Sequence, residues 1–278
     1  MDYRIIVDSC CDMTKELAER LGITSIIPLT VRLGSKEFLD DESLDLPVFM
    51  EEMKACTERV TSAAPPPVAF TEAIESAVRS FVVTISSQLS ATYENAILGK
   101  TLAQEKGVSD VHVFDSKSAS AGEVLVAIKL REMLAKGLPT DQVIGSINNF
   151  IDEMKTYFVL ERYENLVKNG RLNKITGKIV QLLNFKLIMG SDGNGAIQLH
   201  AKPRGTNQML EKIISLIKSS NKPTEGESVV ICHCNNLPLA KQISNIISNH
   251  FNFKEILIVP MRGTISLYAD DKGIVMAF

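Results

Sequence analysis

Short apolar runs alternate with amphipathic stretches along this chain of 278 residues, and that alternation restricts its fold more than any other feature. Arg4-Ile5-Ile6-Val7-Asp8 reads as a buried strand. Behind it Thr14 suits a helix N-cap, Leu17, Ala18 and Leu21 share one face, and Gly22 supplies the stop. Residues 25–33, 81–85 and 111–114 are expected as further strands. A helix is expected over 123–136, with Val124, Ile128, Met133 and Leu134 inward, and Thr140 suits the N-cap of the next one. In the second half, residues 185–190 and 196–201 flank Ser191-Asp192-Gly193-Asn194-Gly195, a hairpin signal. Thr206 is placed as the cap of a helix through Met209, Ile213 and Ile217, and strands are expected at 229–232, 256–259 and 274–278. Strands alternating with helices imply an α/β protein with mostly parallel sheets. The hairpin and a basic composition begin near Tyr157, which divides the chain into two α/β domains, 1–157 and 158–278. A ligand is expected between the domains or at their edge, where clefts are common.

Composition narrows the function. Apolar content of 45% and charge of 23% are ordinary for a soluble globular protein. A net charge of −3 argues against a dedicated nucleic-acid binder. No apolar run reaches the ~18 residues of a membrane span, and Met1-Asp2-Tyr3-Arg4 lacks signal-peptide anatomy. A cytoplasmic location without a stable membrane anchor follows. Five cysteines do not suggest a disulfide framework. Cys232-His233-Cys234 lacks a second pair at zinc spacing and reads as buried thiols near a strand end. Residues 161–222 hold eleven Lys/Arg against four Asp/Glu, whereas residues 1–60 hold seven against thirteen. This excess of positives in the second domain reads either as a solvated surface or as a basic face that meets a phosphate or an acidic partner.

Two hydroxyl clusters follow strand-like runs. One is Thr61-Ser62 before Pro65-Pro66-Pro67, and the other is Ser86-Ser87-Gln88-Leu89-Ser90-Ala91-Thr92-Tyr93. Hydroxyls beside free backbone N–H groups suit a small anion such as a carboxylate. Each hydroxyl taken alone also suits a helix cap, Ser90 above all. Ser118-Ala119-Ser120-Ala121-Gly122 lacks the first glycine of a hydrolase elbow. No P-loop exists, and the glycines of 190–195 lie in a hairpin that opens no helix. Of four histidines, His200 is the best functional candidate, and none lies near either hydroxyl cluster in sequence. The chain reads as a binder of an acid with no self-contained catalytic constellation. The alternative is a phosphotransferase or hydrolase acting on a small acidic substrate through Asp8/Asp12, against the plainer reading that Asp8 and Ser9 shape a turn and Asp12 starts a helix.

Taken together, the motifs resemble the DegV family across nearly the whole chain. Ile6-Val7-Asp8-Ser9 with Asp12 looks like its opening, and Thr61-Ser62 with the prolines and Phe70 like its second motif. Residues 86–93 look like the third, with Ala91 where glycine is usual. Val113-Phe114-Asp115-Ser116, Lys168-Asn169-Gly170-Arg171-Leu172 and Arg204 follow in family order. The resemblance implies two α/β domains that bind one long-chain fatty acid, with no other cofactor. Some members present it to a fatty-acid kinase, which makes an acyl phosphate for phospholipid synthesis. Carried over, Thr61 (with Ser62) and Ser90 would hydrogen-bond the carboxylate, and Arg171 and Arg204 would face the phosphate or the kinase. One departure stands out: many members carry a histidine and a Gly-Pro-Gly turn near the carboxylate, where this chain has Leu267-Tyr268-Ala269-Asp270-Asp271-Lys272-Gly273. Tyr268 is a possible carboxylate neighbour by its hydroxyl, whereas histidine is the side chain that changes charge near neutral pH.

Overall fold

The structure is a computed structural model that describes residues 3–76, 78–172 and 185–278. Its first half is built on a parallel sheet in the order β2-β1-β6-β7, from β1 (Arg4–Asp8), β2 (Ile23–Ile27), β6 (Arg79–Thr84) and β7 (Asp110–Asp115). A small antiparallel sheet, β4-β3-β5, comprises β3 (Thr30–Leu33), β4 (Lys36–Leu39) and β5 (Val60–Ala63). Around them lie α1 (Lys15–Leu21), α2 (Leu46–Ala55), α3 (Pro67–Glu75), α4 (Thr92–Glu105), α5 (Ala121–Ala135) and α6 (Thr140–Glu153). The second half is a six-stranded sheet, β10-β9-β8-β13-β11-β12. Its strands are β8 (Thr156–Val159), β9 (Ile188–Ser191), β10 (Ile197–Ala201), β11 (Ser228–His233), β12 (Glu255–Pro260) and β13 (Ile274–Ala277). Its helices are α7 (Glu164–Lys168), α8 (Gly205–Ser219), α9 (Leu237–Ser248) and α10 (Gly263–Ala269). No helix among the described residues is long and apolar enough to cross a membrane.

The strands read as unbroken apolar runs because both faces of each sheet are covered. Ile6, Val82 and Val113 pack with Phe70 and Ile74 of α3, while Ile5, Val7, Phe81 and Val83 face the central core. In the second sheet Tyr157, Val159, Val229 and Ile231 pack with α8 and α9, while Val230, Cys232 and Val275 face that same central core. Between the sheets runs α5, which touches β6, β11 and β13. Every residue from Ala121 to Ile128 in it is buried, Glu123 included. The expected one-sided helix is therefore a helix covered all round, which is what two flanking sheets require.

The α/β class holds, but parallel pairing does not extend through the second half. There β11 and β12 are parallel, whereas β13 runs against both β8 and β11, and β9 against both β8 and β10. A hairpin and a C-terminal strand inserted at the sheet's centre produce this, and strand order is not written in local periodicity. The single strand expected over 25–33 is two, because Pro28, which cannot donate to a ladder, sends the chain from one sheet into another. Thr14 caps α1 by accepting from the Leu17 amide, and Gly22 ends it at φ 68°. Thr140 and Thr206 instead lie inside α6 and α8, which begin after Pro139 and Arg204 without a side-chain cap.

Candidate functional site

In an open parallel sheet the crevice for ligands lies beyond the carboxyl ends of the strands, where the strand order reverses. Here the reversal is between β1 and β6. Three turns meet there: 8–12 after β1, 85–90 after β6 and 116–120 after β7. The second sheet closes the crevice. Aliphatic side chains from both halves, Ile85, Leu160, Leu166, Ile197, Ile265 and Val275, wall a cavity that Arg171 and Tyr268 also line. The β9–β10 hairpin reaches over this mouth and accepts the Ser86 hydroxyl on the Gly195 carbonyl at 3.0 Å. Gly195 sits at φ 94°, and a Cβ there would meet the Ser86 oxygen at 2.2 Å, so only glycine fits the contact.

Beside the cavity the structure gathers Ser62, Arg171 and Tyr268. The hydroxyls of Ser62 and Tyr268 share a hydrogen bond of 2.9 Å. The Arg171 guanidinium lies 5.5 Å from the centre of the Tyr268 ring and donates to the carbonyls of Leu89 (3.1 Å) and Asn169 (2.6 Å). The segment around α7 ties these pieces together. Asn165 donates to the Leu267 carbonyl in α10 and Asn169 to the Val60 carbonyl in β5. Arg59 donates to the Lys168 carbonyl.

The remaining expected residues fall in different places. Successive side chains of a strand point to opposite faces, so with Ser62 turned to Tyr268, Thr61 stands on the other face of β5. Ser90 follows Leu89, which lines the cavity, and its hydroxyl pairs with that of Thr92 at 2.8 Å. It does not cap α4, whose N-cap is Ala91. Arg204 is exposed and lies over the Phe185 ring at 5.1 Å, outside this group. His200 packs edge-on against Tyr157 and shares a hydrogen bond with the Ser191 carbonyl, and burial pushes its basicity down. Cys232 and Cys234 are both buried.

Beneath the cavity floor lies a dry acidic cluster. Asp8 accepts from the amides of Cys10 and Ile85, each at 2.8 Å. Asp12 accepts from the Ser120 hydroxyl and the Arg262 amide, each at 2.6 Å. Ser120, which lines the cavity, is held at φ 58° with its amide on the Cys10 carbonyl. All three carboxyls are fully buried. Burial lifts Asp8 to about 6 and Asp12 to about 8, and pushes Glu123, which also faces both charges, well above the usual carboxylate range. Asp8 and Asp12 thus brace turns, and Asp12 braces α10 rather than a helix of its own. Asp8, Cys10 and Glu123 bring ligand atoms within 4.8 Å of one another, the one such set among the described residues. Burial raises the thiol of Cys10 as it raises the two carboxyls, Asp8 only to about 6. Two signals escaped the sequence reading: α10, too short to show a period, and the acidic character of its distant cap.

Comparison with known proteins identifies the family. The family model described as "uncharacterised protein, DegV family" matches residues 2–277. A DegV domain-containing protein of Streptococcus gordonii is 33% identical over 281 residues, covering 100% of this chain and 99% of that one. A DegV-family crystal structure from Ruminococcus gnavus, refined with vaccenic acid, superposes with TM-score 0.94 at 34% identity over 100% of both chains. The Streptococcus pneumoniae fatty acid kinase (Fak) B3 protein, loaded with linoleic acid, gives 0.91 at 33% identity over 100% of this chain and 99% of that one. With its motifs in order over the full length, this chain belongs to the DegV family.

Proposed function

We propose that this protein binds one long-chain fatty acid, tail in the cavity between the two halves, and presents the carboxylate to a fatty-acid kinase for acyl-phosphate formation. The observation that carries the reading is the meeting of an aliphatic cavity with the Ser62–Tyr268–Arg171 group at its wall. Each buried methylene contributes about 0.8 kcal/mol, so a chain of about fourteen gives roughly 11 kcal/mol before the cost of association. The polar groups mainly decide which end faces out. Tyr268 and Ser62 would hydrogen-bond the carboxylate, Arg171 would balance its charge, and Ser90 would complete the rim from the adjoining turn. Thr61, across the strand, would act on the strand rather than the ligand. Arg204, exposed on the second half, would belong to the surface that meets the kinase. The two units of this reading are divided near Tyr157. A cut just before Thr156 keeps β8 whole within its sheet.

Native mass spectrometry of protein purified from cells tests the class. An adduct of a few hundred daltons that extracts as a fatty acid supports it. Protein that carries none, and takes up none from albumin-bound oleate, ends it. Acyl-phosphate formation should require added kinase and ATP, and turnover of an acidic substrate by the purified chain alone would favour hydrolase or phosphotransferase chemistry instead.

A further inference from the structure

Helix α10 supplies Ile265, Tyr268 and Ala269 to the cavity, yet nothing in its own sequence holds its start. Arg262, at the N-cap, makes no side-chain cap. Three successive backbone amides at that start are instead taken by carboxylates from the far end of the chain. Asp40 accepts from the Gly263 amide at 2.9 Å through one oxygen and from the Thr264 amide at 2.8 Å through the other. Asp12 accepts from the Arg262 amide at 2.6 Å. The Asp40 carbonyl accepts from the Arg262 guanidinium at 3.4 Å. Asp40 is only 1% exposed, so these bonds are shielded from water. The approach is too close for a side chain: a Cβ on Gly263 would meet Leu44 Cδ2 at 2.3 Å and the Asp40 oxygen at 2.9 Å.

Thr264 and Tyr268 are four apart, on one face of the helix and one turn from each other. The height and rotation of the first turn therefore set where the Tyr268 hydroxyl lands. We infer that Asp40, with Asp12 beside it, is a positioning residue of the head-group site: from the first half of the chain it fixes the start of α10, and so places the Tyr268 hydroxyl against Ser62 and the bound carboxylate. The inference rests on the fatty-acid reading above. It adds that the site is assembled across the two halves, with Asp40 acting through Tyr268 without touching the ligand.

The test is a double-mutant cycle read by NMR of the ligand itself. Wild-type, Asp40→Asn, Tyr268→Phe and the double variant are loaded with oleic acid labelled with 13C at the carboxyl carbon. In Asp40→Asn the amide nitrogen faces a backbone N–H that needs an acceptor, so α10 should shift. Binding should weaken about tenfold, the scale of one hydrogen bond to a charged group. The carboxyl resonance should move in the same direction as in Tyr268→Phe, and the double variant should bind no worse than Tyr268→Phe alone. Gly263→Ala, which pushes the same turn away from Asp40, should reproduce the shift and serves as the second perturbation where Asp40→Asn folds poorly. A carboxyl resonance unmoved by Asp40→Asn or by Gly263→Ala, with only thermal stability lowered, overturns the inference. So do effects of Asp40→Asn and Tyr268→Phe that multiply. Wild-type protein that shows no bound-carboxyl resonance overturns the fatty-acid reading together with the inference, and is told apart from the other failures because it needs no variant.

Discussion

Replacing Asp12 by asparagine should flatten the pH dependence of stability. Asp12 is fully buried, and burial raises its carboxyl to about 8 from the ordinary 3.8 that the unfolded chain restores. The Ser120 hydroxyl and the Arg262 amide pull the other way and do not reverse it. Between those two values the folded protein keeps a proton on Asp12 that the unfolded chain has released. Stability therefore falls as pH rises through that window, by about 1.4 kcal/mol per pH unit for one proton, and levels off above the folded-state value. Asparagine is close in shape to the neutral acid. Its oxygen can still accept from the Arg262 amide, and its amide nitrogen can donate to the Ser120 oxygen, so the titration disappears while the packing stays. From about pH 6 to about pH 7.5 the wild-type protein should lose about 2 kcal/mol more than Asp12→Asn. Asp8, raised to about 6, stands at its own midpoint at the lower end of this range, but it and Glu123 are present in both proteins and cancel in the difference. Urea unfolding followed by circular dichroism at several pH values measures the difference. Equal slopes for the two proteins would show that Asp12 is ionised at neutral pH and that the dry-cluster account is wrong.

Other changes address the cavity and its supports. Ser62→Ala removes the partner of the Tyr268 hydroxyl. It should cost about 1 kcal/mol in stability by denaturant titration and weaken oleate binding more than it weakens folding. Ile197→Trp fills the cavity from the β10 side; fatty-acid uptake measured by native mass spectrometry should collapse while the melting temperature stays within a few degrees, and undiminished uptake would place the tail elsewhere. Asn169→Ala strips the Val60 and Asn165 carbonyls of their side-chain donor and removes an acceptor of Arg59. A loss of about 1–3 kcal/mol is expected on chemical unfolding.

Elements with a strong local signal were legible in the sequence. Arg4–Asp8 is a strand with the bounds its apolar run suggests, and Thr14 and Gly22 bracket α1 as their side-chain and backbone chemistry dictates. The β9–β10 hairpin follows from its Asp-Gly and Asn-Gly turn residues. The hydroxyl clusters and Arg171, picked out as family motifs, come from three separate elements, the small sheet, the turn after β6 and the segment after α7, which the Ser62–Tyr268 and Arg171–Leu89 hydrogen bonds tie together around the crevice. Other features were hidden. Periodicity reports whether a run is buried but not what lies beside it, so the antiparallel placement of β13 between β8 and β11 could not be read from the chain. Which of Thr61 and Ser62 meets Tyr268 depends on the face that β5 turns inward, and a shift of one residue would exchange them.

By itself the sequence determined the strands and helices that carry a strong local signal, and that the chain holds hydroxyls and cations in the order of the DegV family, since propensity, capping and turn chemistry act over a few residues. Only the tertiary structure decided that Asp40 and Asp12 grip a helix more than two hundred residues away, and that the carboxyls of Asp8, Asp12 and Glu123 share one dry pocket. Burial and long-range hydrogen bonding come into being only when the two halves close on each other.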